Sequence, residues 1–166
     1  MSSREANRER ARLEGAMRIS IASDHAGFGL KEAIREHLGK LGHEAVDFGT
    51  RSKESTDYPD HGRPAACAVA SGDCELGVLV CGSGQGMVMV ANKVRGVRAA
   101  LAWDPEIARL SRQHNNANVL CLPARFVGVE QGIEIVDEWL KAGFDGGRHE
   151  ARVDKMMKTE EEPCRD

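Results

Sequence analysis

The segment Cys81-Gly82-Ser83-Gly84-Gln85-Gly86 concentrates more reactive potential than any other stretch of the chain. It follows the unbroken apolar run Leu76–Cys81, of the kind a parallel sheet buries on both faces. A cysteine that closes such a strand and opens a glycine turn into a helix feels the positive end of the helix dipole, which favours its thiolate. The turn itself can offer backbone N–H groups to a negative oxygen beside that sulfur. Position alone leaves a packed, inert cysteine as the competing reading. Known phosphate loops fit poorly. A dinucleotide fingerprint needs glycine where Met87 stands, a P-loop needs Gly-Lys-Ser/Thr, and a low-molecular-weight phosphatase needs arginine where Met87 stands.

Other residues with the right chemistry lie at the ends of the expected elements. Asp24 and His25 follow the first strand. His114 closes a helix beside Asn115, Asn116 and Asn118, an amide cluster that weighs against a merely structural histidine. Arg148 and Arg152, spaced i, i+4 after Gly146-Gly147, can share one helical face, and paired guanidinium forks suit phosphate oxygens. A solvated basic face paired with acids is the plainer alternative. A thiolate base, anion-stabilising amides, a histidine and a phosphate clamp together suit proton abstraction beside a carbonyl, through an enediolate. They do not suit hydride transfer.

Positioning these groups requires a regular scaffold, and the hydrophobic pattern supplies one. Strands are expected over Arg18–Ser23, Glu44–Phe48, Leu76–Cys81, Val97–Ala102 and Asn118–Leu122. Helices are expected over Leu30–Leu41, His61–Ser71, Met87–Lys93, from Pro105 onward, and over Val129–Lys141, with Gly42 and Gly72 as C-terminal stops. Alternation of strand and helix predicts one α/β domain, a three-layer α/β/α, Rossmann-like, doubly wound five-stranded parallel sheet. In such sheets ligands sit beyond the carboxyl ends of the strands, at a topological switch point.

The sequence of 166 residues has 41% hydrophobic and 4% aromatic residues, so aliphatic side chains must fill the core. Its formal net charge of −3 is dispersed and leaves no nucleic-acid footprint. No apolar run approaches a membrane span, and residues 1–16 read as a charged, frayed leader rather than a signal peptide. Residues 17–157 form the expected domain, and 158–166 an acidic, loose tail. The five cysteines are odd in number and make no C-x-x-C pair, so neither a disulfide framework nor a zinc cluster is expected, and a cytoplasmic setting fits best.

The motifs Ser23-Asp24-His25-Ala26-Gly27, Asp57-Tyr58-Pro59, Cys81 to Gly86, Ala91-Asn92-Lys93, Leu110 to Asn115 and Gly146-Gly147-Arg148-His149-x-x-Arg152 together resemble the ribose-5-phosphate isomerase B family. That family includes the galactose-6-phosphate isomerase subunits. The resemblance covers about Met17 to Met157. It implies that Cys81 moves the proton between C1 and C2, since Gln85 and Met87 offer no carboxylate. Ser83 and the amides of Gly82, Gly84, Gln85 and Gly86 would then hold the enediolate. His114 would open the sugar ring with Asp24 as a nearby partner, and Asn115 would bind a substrate hydroxyl. His25, Arg125, Arg148 and Arg152 would hold the phosphate. The resemblance implies no metal or other cofactor, a small phosphorylated sugar as substrate, and a homodimer or dimer of dimers with shared active sites. Relatives acting on galactose-, allose- or tetrose-phosphates keep nearly the same residues, so those sugars stay open. Two other readings are a non-catalytic phosphate-binding module and a thiol redox protein using Cys81 with Cys121.

Overall fold

A computed structural model describes residues 15–164. The expected leader therefore lies outside the described residues up to Glu14, as do the last two residues of the tail. Among the described residues there are five strands: β1 (Arg18–Ser23), β2 (Glu44–Asp47), β3 (Leu76–Cys81), β4 (Ala99–Leu101) and β5 (Val119–Pro123). They pair in parallel throughout, in the order β2-β1-β3-β5-β4. The helices are α1 (Phe28–Lys40), α2 (Tyr58–Ala70), α3 (Gln85–Asn92), α4 (Pro105–Asn115), α5 (Val129–Lys141) and α6 (Arg148–Lys158).

Alternation along the strands sorts the core into two layers. Ile19 and Ile21, Val78 and Val80, Leu120 and Leu122 face one side, where α1, α4 and α5 bring Leu30, Ile34, Ala108, Ile135 and Trp139. Ala22, Leu79, Cys81, Val119 and Cys121 face the other, against Ala65, Ala66, Val69, Met87 and Ala91 of α2 and α3. The second layer is built from small side chains, so its helices pack close. A Cβ on Gly77 would lie 3.1 Å from Val69 of α2.

The first helix ends where the glycine pattern predicts. Gly42 takes a left-handed φ of 85° and donates to the Gly39 carbonyl, while His43 donates to that of Leu38. Most boundaries shift by a residue or two, and two of the differences have a clear cause. Helix α2 begins at Tyr58 rather than His61, because Pro59 sits in its first turn, where no N–H is required. Strand β4 is only three residues long rather than spanning Val97–Ala102. Part of the expected tail makes contacts with the loop before β4. Glu160 accepts the Gly96 N–H at 2.9 Å, and Glu161 pairs with Arg95.

A buried ion pair fixes the carboxyl ends of β1 and β2. The fully buried Lys31 ammonium donates to both Asp47 oxygens at 2.9 and 2.8 Å and to the Thr50 carbonyl at 2.7 Å. Asp47 also accepts the Gly49 N–H, and Gly49 in turn accepts from Ser23. Asp47→Ala strands that ammonium with Glu32 and one carbonyl, and should cost about 3–5 kcal/mol of unfolding free energy. Lys31→Met removes the charge while keeping most of the stem volume, and should cost distinctly less. Urea unfolding of both proteins checks this, and equal losses would contradict it.

Candidate active site

The chain passes from β1 out to β2 on one side, then crosses to β3 on the other, so the β1/β3 boundary is the switch point. Asp24 and the Cys81 loop emerge at its two lips. Asp24 is buried, donates its N–H to the Val80 carbonyl at 3.3 Å, and accepts the Gly27 N–H at 3.0 Å. Gly27 leaves no room for a side chain, since a Cβ would stand 2.6 Å from the Val80 oxygen. This contact holds the start of α1 against β3. His25 is half-buried, and its Nδ1 lies 3.2 Å from the Thr56 N–H and 3.3 Å from the Thr56 carbonyl. His61 braces that loop from the far side through Thr56 Oγ1 at 3.0 Å and the Phe48 carbonyl at 3.3 Å.

Cys81 ends β3 and is 4% exposed. Beyond it, Gly84 takes a φ of 74° and caps α3 without any side-chain acceptor. Ser83 is exposed and its Oγ accepts only the Gln85 N–H, at 3.4 Å. Among the described residues, the N–H groups of Ser83, Gly84 and Gly86 meet no acceptor. A left-handed glycine before a helix is how a chain turns several N–H groups toward one point. Arg125, just past β5, donates its backbone N–H to the Gly82 carbonyl at 3.0 Å. Its guanidinium lies over Gly82, 3.1 Å from where a Cβ would be. Tyr58 covers Gly86 in the same way, at 2.7 Å. Glycine at both places is thus a matter of space as well as turn geometry.

The other expected residues lie elsewhere. Helix α4 starts after β4, at the carboxyl end of the sheet, and its 11 residues carry it about 16 Å back toward the amino end. Its last turn meets the entry to β5, where Arg112 Nη1 donates to the Ala117 carbonyl at 2.7 Å. His114 and Asn115 are therefore at the opposite end of the sheet from Cys81. Helix α6 lies beside them, with the Asp145 N–H donating to the Gln113 carbonyl at 3.0 Å, and Glu160 just past its far end reaches Gly96 before β4. Arg148 and Arg152 are exposed on α6 and form no ion pair among the described residues. A cation at the first residue of a helix opposes the helix dipole. Arg148 sits there, and although Glu150 lies in the same turn, the guanidinium forms no ion pair among the described residues and stays free to meet an anion.

One chain thus gathers the expected residues into two candidate half-sites rather than one site. Asp24, His25, Cys81, Gly82, Ser83, Gly84, Gln85, Gly86 and Arg125 form the first; His114, Asn115, Arg148 and Arg152 form the second. The expected nearness of Asp24 to His114 does not hold within a chain, because parallel strands send their ends one way and the returning helices the other.

The sequence reading missed His149. Its ring stacks on His114 with centroids 4.2 Å apart and planes 9° from parallel. Burial, His114 and the neighbouring arginines hold its pKa below the usual imidazole value, so its neutral form is favoured. The signal was present, since His149 adjoins Arg148, but spacing drew attention only to the arginines. The redox reading loses its geometry. Leu79 is the partner of Cys121 and Pro123 that of Cys81, so the two cysteines are offset by two residues on adjacent strands. Their Cα atoms are then about 8 Å apart, beyond disulfide reach. The Cys121 thiol is also pushed well up by complete burial and by nearby Cys81.

Comparison with known proteins adds the following. The sequence profile of the Ribose/Galactose Isomerase family matches residues 19–156. The chain is 46% identical over 144 residues to "Ribose-5-phosphate isomerase B" of Escherichia coli, covering 87% of this chain and 97% of that protein. It is similar to the structure of Clostridium thermocellum ribose-5-phosphate isomerase B, with a TM-score of 0.86, 50% identity, and coverage of 87% and 98%. It is also similar to the Mycoplasma genitalium ribose-5-phosphate isomerase B structure with bound ribulose-5-phosphate, with a TM-score of 0.84, 49% identity, and coverage of 88% and 97%.

Proposed function

The chain belongs to the Ribose/Galactose Isomerase family, and from that premise we propose that it interconverts ribose 5-phosphate and ribulose 5-phosphate. It is an aldose–ketose isomerase, and the route is a cis-enediolate with Cys81 as the base. The observation that carries this is Cys81 at the buried end of β3, leading into a turn with N–H groups that lack acceptors and with the Arg125 guanidinium over Gly82.

The open-chain aldose presents C1 and C2 to the Cys81 sulfur. The thiolate takes the C2 proton and returns it to C1, the O2 hydroxyl proton passes to O1, and the charge that develops on oxygen in between falls to the Ser83–Gly86 amides. Ring opening precedes this and needs an acid–base group at the ring oxygen, the role given to His114, with Asn115 on a hydroxyl. His25 and Arg125 hold the phosphate from one side, Arg148 and Arg152 from the other. Because these groups lie at opposite ends of one sheet, the working unit is a homodimer, or a dimer of dimers, in which each site joins two chains. A thiol doing this work must stay reduced, and a cytoplasmic setting suits that need. A hexose- or tetrose-phosphate substrate is the second reading, since the same groups would serve it.

An NMR or coupled assay over ribose, allose, galactose and erythrose phosphates tests the proposal, with ribose 5-phosphate expected to have the highest kcat/KM. A preference for another sugar would move the substrate and leave the class, whereas turnover of none would overturn the reading. Replacing Arg148 or Arg152 by Ala should raise KM steeply, since a charge-assisted contact is worth roughly 1.5–3 kcal/mol, or about 10- to 150-fold. The check is a comparison with unphosphorylated ribose. Equal weakening of both sugars would show that the arginines do not hold phosphate.

A further inference from the structure

Three side chains beside the second half-site have the chemistry of metal ligands. His114 in the last turn of α4, Asp145 in the connection before α6, and His149 in the first turn of α6 bring one ligand atom each within 4.8 Å of one another. Among the described residues, none of the three side chains is taken up in a hydrogen bond or ion pair; the two rings only stack on each other. The backbone beneath them is held, by Asp145 N–H on the Gln113 carbonyl and His149 N–H on the Gly146 carbonyl, both at 3.0 Å.

We propose that His114, Asp145 and His149 form a binding site for a divalent transition ion of the Zn²⁺ class. Two imidazoles and one carboxylate suit zinc, cobalt or nickel, whereas calcium and magnesium want oxygen ligands. Three protein ligands leave the ion's fourth position to water. Ligand atoms around tetrahedral zinc stand about 3.3 Å apart, so the three groups must draw together. The stacked rings must also splay, because their in-plane lone pairs now run nearly parallel. Both rings are half-buried and retain room to turn. Arg148 and Arg152 on the same helix oppose the added positive charge, which keeps the affinity below that of structural zinc sites. The ion is therefore an exchangeable inhibitor rather than a resident cofactor: it holds the His114 ring that would open the sugar. The inhibition, though not the binding, rests on the role assigned to His114 above.

The test uses the chelator-stripped full chain carrying Cys81→Ala, so that the thiol contributes no binding. Calorimetry with Zn²⁺ and absorbance with Co²⁺ should both show one ion per chain. Adding Asp145→Asn should weaken binding by about tenfold or more, the scale on which losing even an outer partner acts. With Cys81 intact, Zn²⁺ should inhibit isomerisation, chelation should restore it, and Asp145→Asn should require about tenfold more Zn²⁺ for the same inhibition. Failure of the Cys81→Ala protein to bind an ion, or unaltered binding after Asp145→Asn, would overturn the site. Binding as described with isomerisation unhindered would leave the site standing and remove His114 from ring opening.

Discussion

Cys81→Ala should lower kcat by about 10²–10⁴-fold, the span that a positioned general base contributes, while sugar phosphate still binds. The residue is shielded, ends a strand buried along its whole length, and leads into a turn whose N–H groups the fold leaves without acceptors. Removing the sulfur takes away the proton carrier and leaves the rest of the loop in place. Exchange of the substrate C2 proton with solvent should therefore vanish together with turnover, because both use the same atom. The control is Cys121→Ala. That thiol sits on the same face of the next strand, but complete burial keeps it neutral, so its loss should affect packing far more than rate. Near-normal turnover in Cys81→Ala, or equal losses in the two proteins, would remove Cys81 from the role. Proton exchange by NMR in deuterated buffer measures this directly.

Mixing two inactive proteins should create activity. Cys81→Ala subunits supply an intact His114 half-site, and His114→Ala subunits an intact Cys81 half-site. If each site joins the two halves across a two-fold axis, a mixed dimer has one site with both halves intact and one with both damaged. Random pairing makes about half the dimers mixed, so activity should return to roughly a quarter of wild type per site. Subunit exchange must be verified by native mass spectrometry. Complete exchange without recovery would place Cys81 and His114 in the same chain's site and overturn the shared arrangement.

Much of the scaffold was legible because its signals are local. Leu76–Cys81 and Val129–Lys141 follow directly from apolar runs and periodicity, and Gly42 marks its helix end through a conformation that other residues avoid. Boundaries moved where a proline could be read two ways, as at Pro59, or where pairing sets strand length, as in β4, which has a neighbour on one side only. The candidate site was legible residue by residue but not in its arrangement. Spacing shows that Arg148 and Arg152 share a face; it does not say that α4 and α6 deliver His114 and those arginines to the far end of the sheet. That follows only from strand direction and the path of each helix. His149 was missed because stacking of two rings from separate helices is a tertiary event.

The order β2-β1-β3-β5-β4 also matters during synthesis. The strand that pairs with β4 is β5, yet β4 leaves the ribosome before β5 does. Until Pro123 is made, the nascent chain carries a three-residue strand with no partner and an uncovered edge on β3. An exposed strand edge invites pairing with other chains. Transcripts truncated between α4 and β5 should therefore yield aggregates rather than small stable domains, and a chain stalled there is a natural client for a chaperone.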